Sequence, residues 1–181
     1  GMGEDMSAGA KGTPCFVSGT VCDLSGKPVE GATLDCWQAD GDGMYEAQYA
    51  GREEPLLRAL YRTNAEGKYI LRSVDPLGYS IPMDGTVGAF IRRTDISEMR
   101  PAHIHFLLTA PGYDPIITHL FRKDTNYLET DVVYGVKQEL ITEFTKHAAG
   151  EKAPTGEVMN EPFVTVNYDF VLANKAAAKA A

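Results

Sequence analysis

HIHFLLTAPGYDPIITHLF, residues 103–121, carries the clearest strand signal in the chain. Apolar and β-branched residues dominate 103–109 and 116–121, and in the first of these runs the side chains alternate between His and apolar types. The segment between them, 110–115, contains two prolines and a glycine, which are typical of a turn. We therefore predict two paired strands joined by this turn.

Short segments of the same kind recur on both sides of this stretch. Each has the length and the aromatic or β-branched content of a strand and ends at residues that favour turns, as at 23–26. A turn at 64–67 predicts a hairpin between two of them. The further predicted strands are 16–21, 32–39, 61–63, 67–74 and 163–172.

One segment has helical periodicity. Between residues 136 and 149, Leu140, Ile141, Phe144 and Ala148 recur at steps of three and four residues. We predict a helix here, with His147 on its solvent-exposed side.

These elements predict an all-β fold, an antiparallel β-sandwich of two sheets with one minor helix. The chain of 181 residues shows no internal repeat or linker, so we expect residues 1–181 to form a single domain. Residues 1–14 are small and polar and residues 174–181 are rich in Ala and Lys, so both ends are expected to be poorly ordered.

Composition excludes several classes of partner. The net charge is −8 and Lys and Arg are not clustered, which argues against binding to nucleic acid or to an anionic membrane. No apolar run approaches the roughly 18 residues of a transmembrane helix, and no signal-peptide pattern is present. The three cysteines have no metal-type spacing, and free thiols favour a cytoplasmic location.

His103 and His105 form the sharpest local pattern. Side chains at i and i+2 lie on the same face of a strand, so both imidazoles come within reach of one metal ion. On the spacing alone, two ordinary polar residues are the favoured interpretation. Further ligands are not fixed by spacing, because the chain has 25 acidic residues and nine tyrosines.

Two tyrosines are distinguished by their context. Tyr45 follows a Gly-rich turn at 40–43, and Tyr79 lies in a loop, 76–82, that contains two prolines. Irregular loops at the ends of strands are where binding and catalytic sites are usually built.

Several motifs in order resemble those of the intradiol ring-cleavage dioxygenases. The similarity extends over most of the chain and includes a segment ending in Tyr45, a loop around Tyr79 and an Arg-Pro-Ala-His-Ile-His segment. The matching segments are 19–23, 31–32, 37–45, 76–82 with Gly85, 100–106, 110–113 and 118–121.

The resemblance implies a mononuclear Fe(III) site with Tyr45, Tyr79, His103 and His105 as ligands. Ferric iron is a hard cation that favours anionic oxygen, and imidazole also suits iron. A phenol titrates near pKa 10, so a tyrosinate ligand at neutral pH depends on the metal. No organic cofactor or external reductant is expected.

The resemblance also implies the reaction. A catechol-type diol reacts with O2 and is opened between its two hydroxyl carbons to a muconate-type diacid. Tyr79 is expected to be the displaced ligand and to take a substrate proton, while Arg100 steadies anionic character on the ring. His119 stands where catechol-cleaving members carry Gln and is similar to the hydroxyquinol-cleaving branch, so hydroxyquinol or catechol is the expected substrate.

Two alternatives remain open. The first half of the chain is also similar to transthyretin-like binding modules, which hold no metal, and a fold does not fix a function. Alternatively, His103, His105 and a carboxylate could bind zinc or ferrous iron. Members of the resembled family also carry an N-terminal helical region that supplies the dimer contact. This chain begins after it, so its oligomeric state is left open.

Overall fold

The computed structural model describes residues 2–7 and 9–175. Residues 176–181, most of the C-terminal tail expected to be poorly ordered, lie outside the described residues. Near the N-terminus, the backbone N–H of Met6 donates to the carbonyl of Arg72 at 2.9 Å, and the Met6 side chain is buried. No helix in the described part of the chain is long and apolar enough to cross a lipid bilayer.

The described residues form mostly short strands, together with one α-helix, α1 (Thr86–Ile91), and 3-10 turns at Glu46–Gln48 and Gln138–Leu140. The strands are β1 (Pro14–Asp23), β2 (Thr33–Trp37), β3 (Arg58–Arg62), β4 (Lys68–Val74), β5 (Tyr79–Ser80), β6 (Met99–Arg100), β7 (His103–Thr109), β8 (Ile116–Arg122), β9 (Ile141–Thr142), β10 (Thr145–His147), β11 (Phe163–Asn167) and β12 (Phe170–Leu172).

Two five-stranded sheets make up the body of the fold. One follows the order β10-β11-β1-β12, with β4 also paired to β1, and the other follows the order β3-β2-β7-β8-β9. A separate two-stranded ribbon joins β5 to β6. The predicted pairing of 103–109 with 116–121 is confirmed, because β7 and β8 are antiparallel with Leu107 opposite Ile117.

One apolar core lies between the two sheets. Alternate side chains of β7, namely Ile104, Phe106 and Leu108, are fully buried, and the Phe106 ring lies 5.2 Å from that of Phe170 in the other sheet. Burial of apolar surface contributes about 25 cal/mol per Å². The period-2 pattern of β7 therefore sends one set of side chains into the core and leaves the other set, which includes both histidines, for the opposite face.

The prediction of a wholly antiparallel sandwich is wrong, because β1 pairs in parallel with β11 and β12, and β8 pairs in parallel with β9. The predicted strand 163–172 is broken in two where it passes Gly19. A Cβ at Gly19 would lie 1.8 Å from the carbonyl oxygen of Tyr168, so only glycine allows this close approach.

The predicted hairpin around residues 64–67 is also wrong. The turn itself forms, with the Gly67 N–H donating to the Asn64 carbonyl at 2.9 Å. However, β3 pairs with β2 and β4 pairs with β1, so the turn carries the chain from one sheet to the other. In this arrangement Tyr61 and Leu71 are both buried in the core between the sheets, which a single hairpin in one sheet would not achieve.

The predicted helix over 136–149 is wrong as well. This segment contains a 3-10 turn followed by β9 and β10, and the α-helix of the fold is α1. Ile141 pairs with Phe121 at the sheet edge, and the Thr142 hydroxyl donates to the Phe121 carbonyl at 3.1 Å. These tertiary contacts outweigh a weak helical periodicity. His147 accordingly lies on β10, partly buried and stacked on Phe163 with ring centroids 4.6 Å apart.

Candidate metal centre

The two histidines of β7 lie beside each other on the face that points away from the core. Cross-strand registration places His105 between Trp37 of β2 and His119 of β8. The Trp37 and His105 rings are nearly parallel, with centroids 4.8 Å apart and an interplanar angle of 4°. This stack limits the rotation of His105 and points its Nε2 atom toward the end of the sheet where the tyrosine loops lie.

A tight turn positions Tyr45 beside His105. The Asp40 carboxylate accepts hydrogen bonds from the backbone N–H groups of Asp42 and Met44, at 2.9 and 3.0 Å. Gly43 has φ +76°, and a Cβ at this position would lie 2.7 Å from the Cβ of Tyr79. Glycine is therefore required both by the backbone conformation and by the close approach of the second tyrosine.

The ribbon of β5 and β6 holds Tyr79 directly opposite Arg100. Tyr79 is 9% exposed and Arg100 is 6% exposed. Because Pro101 separates β6 from β7, the chain turns between Arg100 and His103, and the two side chains meet with Arg100 Nη1 at 3.1 Å from His103 Nε2. Strand alternation alone would have put them on opposite faces.

The four side chains named as ligands from the sequence converge on one point. The Tyr45 hydroxyl oxygen lies 2.7 Å from the Tyr79 hydroxyl oxygen and 3.0 Å from His105 Nε2. The Nε2 atoms of His103 and His105 are 3.1 Å apart. The structure thus brings together two phenol oxygens and two imidazole nitrogens from three separate segments of the chain.

The protonation states of these groups suit a metal ion. The Pro101 carbonyl can only accept, so the contact of 2.6 Å means that His103 Nδ1 carries the hydrogen and Nε2 keeps its lone pair. Burial lowers the pKa of His103 to about 3 and that of His105 to about 2, so both imidazoles are neutral near pH 7. Burial, together with the nearby Tyr79, raises the pKa of Tyr45 well above its usual value, so a cation is needed to hold it as a phenolate.

Comparison with known proteins agrees with this arrangement. The dioxygenase family model matches residues 3–174. The 6-chlorohydroxyquinol 1,2-dioxygenase of Cupriavidus pinatubonensis is 42% identical over 148 residues, which cover 82% of this chain and 54% of the relative. The hydroxyquinol 1,2-dioxygenase of Nocardioides simplex is 40% identical over 171 residues, 94% of this chain and 58% of the relative. This chain belongs to the intradiol ring-cleavage dioxygenase family.

Solved structures support the same assignment. The hydroxyquinol 1,2-dioxygenase from Pseudomonas putida DLL-E4 superimposes with a TM-score of 0.87 at 37% identity, covering 97% of this chain and 63% of that one. The chain therefore spans a little more than half the length of the curated relatives it matches, and it corresponds to the catalytic domain of the intradiol family.

His119 lies beside the two histidines of β7. Its ring centroid lies 4.5 Å from that of His105 and 5.4 Å from that of His103. Among residues 2–7 and 9–175, the group of three His, Cys, Asp or Glu side chains placed to share one metal ion consists of these three histidines. Their ligand atoms lie within 4.8 Å of one another. A site of two histidines and a carboxylate therefore finds no support in this part of the chain.

Asp131 contacts the site through Arg100, and the sequence did not predict it as a site residue. It is 3% exposed and its carboxylate accepts hydrogen bonds from Arg100, with Arg100 Nε at 3.0 Å from Oδ1. Burial by itself would raise the pKa of Asp131, but the Arg100 guanidinium and the Gly135 N–H hold it below its usual value. No spacing pattern marks Asp131 as a site residue, although residues 131–137 also resemble the hydroxyquinol-cleaving branch. The signal that points to it is that a buried Arg100 needs an acidic partner.

Proposed function

We propose that this chain is the catalytic domain of an enzyme that cleaves catechol-type aromatic diols with O2, between the two hydroxyl carbons, to muconate-type diacids. The convergence of Tyr45, Tyr79, His103 and His105 carries the proposal. The names of the relatives and family membership agree with it. Three free cysteines suit a cytoplasmic setting in the breakdown of aromatic compounds.

We assign Fe(III) as the metal because the donor set fits it. Two phenol oxygens and two neutral imidazole nitrogens combine hard anionic ligands with ligands that iron also accepts, whereas zinc and magnesium sites rarely use phenolate. Bound ferric iron would supply the redox chemistry that allows a bound diol to react with O2. Tyr45, Tyr79, His103 and His105 would hold it.

The residues around this set have distinct tasks. The Tyr79 oxygen lies 2.7 Å from that of Tyr45, and Tyr79 is paired with Arg100 across the β5–β6 ribbon. Held as a phenolate by the metal, this oxygen is suited to accept a proton from a substrate hydroxyl. Arg100 presents Nη1 beside His103, where a fixed cation stabilises negative charge that develops on the substrate ring. The Trp37 stack holds His105 in place.

The preferred substrate within the diol class is proposed to be hydroxyquinol, with catechol second. The relatives at 42% and 40% identity are named for hydroxyquinol or its chlorinated form. His119 lies beside both β7 histidines and offers a ring nitrogen that a third substrate hydroxyl could contact. Oxygen-uptake assays with hydroxyquinol, catechol and protocatechuate rank the substrates, and equal turnover of catechol and hydroxyquinol would contradict this preference.

Absorption spectroscopy of the iron-loaded protein tests the metal assignment. We expect a visible phenolate-to-Fe(III) charge-transfer band, a single bound iron by metal analysis, and a shifted or weakened band in Tyr45→Phe and in Tyr79→Phe. Tyr113→Phe removes a hydroxyl in the turn that follows the opposite end of β7 from His103, so it is the matched control and should leave the band unchanged.

The same experiment distinguishes this assignment from its main alternative, a metal centre built from the three histidines alone. In that case both tyrosine variants would keep the metal with an unaltered spectrum, and His119→Gln would release it. Iron-loaded wild-type protein without a visible band would overturn the Fe(III)-phenolate assignment.

A further inference from the structure

The carboxylate of Asp131 is completely engaged in the described structure. Its Oδ1 atom faces Arg100 Nε at 3.0 Å and the Val133 N–H at 3.5 Å. Its Oδ2 atom faces Arg100 Nη2 at 3.4 Å and the Gly135 N–H at 2.9 Å. The Asp131 side chain is 2% exposed and that of Arg100 is 7% exposed, so the ion pair is shielded from bulk solvent.

This ion pair fixes the orientation of the guanidinium. Asp131 contacts the Nε–Nη2 edge of Arg100, and a planar guanidinium held along one edge loses its freedom to rotate about Nε. The remaining nitrogen, Nη1, is thereby directed at His103 Nε2, 3.1 Å away. A salt bridge that only neutralised the charge of Arg100 would not require Asp131 to contact one particular edge of the guanidinium.

We propose that Asp131 is a positioning residue for the ring-cleavage reaction, acting through Arg100 by holding Nη1 toward the substrate side of the metal centre. This inference rests on the proposed function, because it assumes that Arg100 stabilises charge on the substrate. Asp131 itself lies behind Arg100 and makes its described side-chain contacts with that residue and with backbone N–H groups.

The loop that follows Asp131 helps to hold the Asp131–Arg100 ion pair. Tyr134 adopts φ +53°, a conformation uncommon for a residue with a side chain, and this turns the backbone so that the Gly135 N–H reaches the carboxylate. A Cβ at Gly135 would lie 3.3 Å from both Arg100 Nη2 and Asp131 Oδ2. The added methyl group of Gly135→Ala would therefore crowd the Asp131–Arg100 ion pair without removing a charge.

A double-mutant cycle on the iron-loaded enzyme tests the proposal, with Asp131→Asn and Arg100→Gln made singly and together. We expect Asp131→Asn to lower kcat by about 10- to 100-fold, as a misplaced catalytic group does, with KM changed less than about threefold. In the Arg100→Gln background, Asp131→Asn should cause no further loss, since its only route to the reaction is gone. The resting charge-transfer band should be unchanged, because the four ligands are intact.

Two further variants keep the test decisive if Asp131→Asn does not fold. Asp131→Glu retains the charge but displaces the carboxylate by a methylene, and Gly135→Ala crowds the pair, so each should lower kcat with a normal resting spectrum. Asp5→Asn is the matched control, because it removes a carboxylate from a more exposed Asp–Arg pair, 3.4 Å from Arg72 Nε, and should leave kcat unchanged.

Multiplicative losses in the double variant, or wild-type kcat in both Asp131→Glu and Gly135→Ala, would overturn the positioning role. Failure of the proposed function would look different. The wild-type protein itself would then lack the visible band or consume no oxygen with any of the diols.

Discussion

The two faces of strand β7 differ in almost every physical property, although they alternate residue by residue. On the core face, Ile104, Phe106 and Leu108 are fully buried among apolar side chains of both sheets. On the site face, His103 and His105 are held among polar and aromatic groups, with pKa values driven far down by burial. Burial of the core face stabilises the fold. On the site face, burial removes polar imidazole nitrogens from water, and a bound metal ion would offset that cost.

This contrast predicts that neighbouring substitutions act on different properties, and the largest effect belongs to the site face. His105→Ala should lower kcat/KM by at least about 10⁴-fold, more than about 5 kcal/mol of transition-state stabilisation, because it removes a ligand. The free energy of unfolding of the metal-free protein should decrease by less than about 1.5 kcal/mol. It can also increase, because the substitution removes a buried, poorly solvated imidazole. Metal analysis, steady-state kinetics and urea unfolding measure these quantities. A variant that keeps iron and near-normal activity would remove His105 from the ligand set.

The core face should show the reverse. Phe106→Ala, one residue along the chain, should destabilise the protein by about 3–5 kcal/mol, because it removes a ring packed 5.2 Å from that of Phe170 and leaves a cavity. Ile104→Val is the graded control, with an expected cost of about 1 kcal/mol. Urea unfolding gives the stability, and kcat per folded, iron-loaded molecule should stay within about threefold of the wild type. Loss of activity in the folded fraction would show that the two faces are coupled.

The smallest effect is expected at Trp37, which supports the site face from the neighbouring strand. Trp37→Leu removes the ring stacked on His105, and groups that orient a metal ligand typically contribute about 10- to 100-fold in metal affinity or activity. We expect a loss near the lower end, because the register between β2 and β7 still confines His105. Titration of the metal-free protein with iron measures the change in affinity. Unchanged affinity and activity would mean that strand register alone orients this ligand.

The parts of the fold that could be predicted from the sequence are those set by neighbours along the chain. Strand β7 and its antiparallel partner β8 follow from alternation and a Pro- and Gly-containing turn. The turn before Tyr45 follows from Asp and Gly chemistry at residues 40–43. Local geometry decides such features, so local sequence is sufficient to predict them.

The failures have a common physical origin. Residues 136–149 have a helical period, yet strand pairing at the edges of both sheets determines their conformation. The turn at 64–67 is correct, but which sheet each flanking strand joins depends on the shared core. Parallel pairing of β1 with β11 joins residues about 150 positions apart, and no local pattern records that choice.

The sequence by itself determined which residues carry strand character, that His103 and His105 share a face, and, through resemblance to a family, which two of nine tyrosines accompany them. The tertiary structure alone decided that Asp131 meets Arg100, that Trp37 stacks on His105 and that Arg100 turns toward His103. Alternation along a strand is a property of a few consecutive residues. A buried ion pair or a ring stack between distant segments depends on how whole sheets pack, and that packing is fixed only when the core has formed.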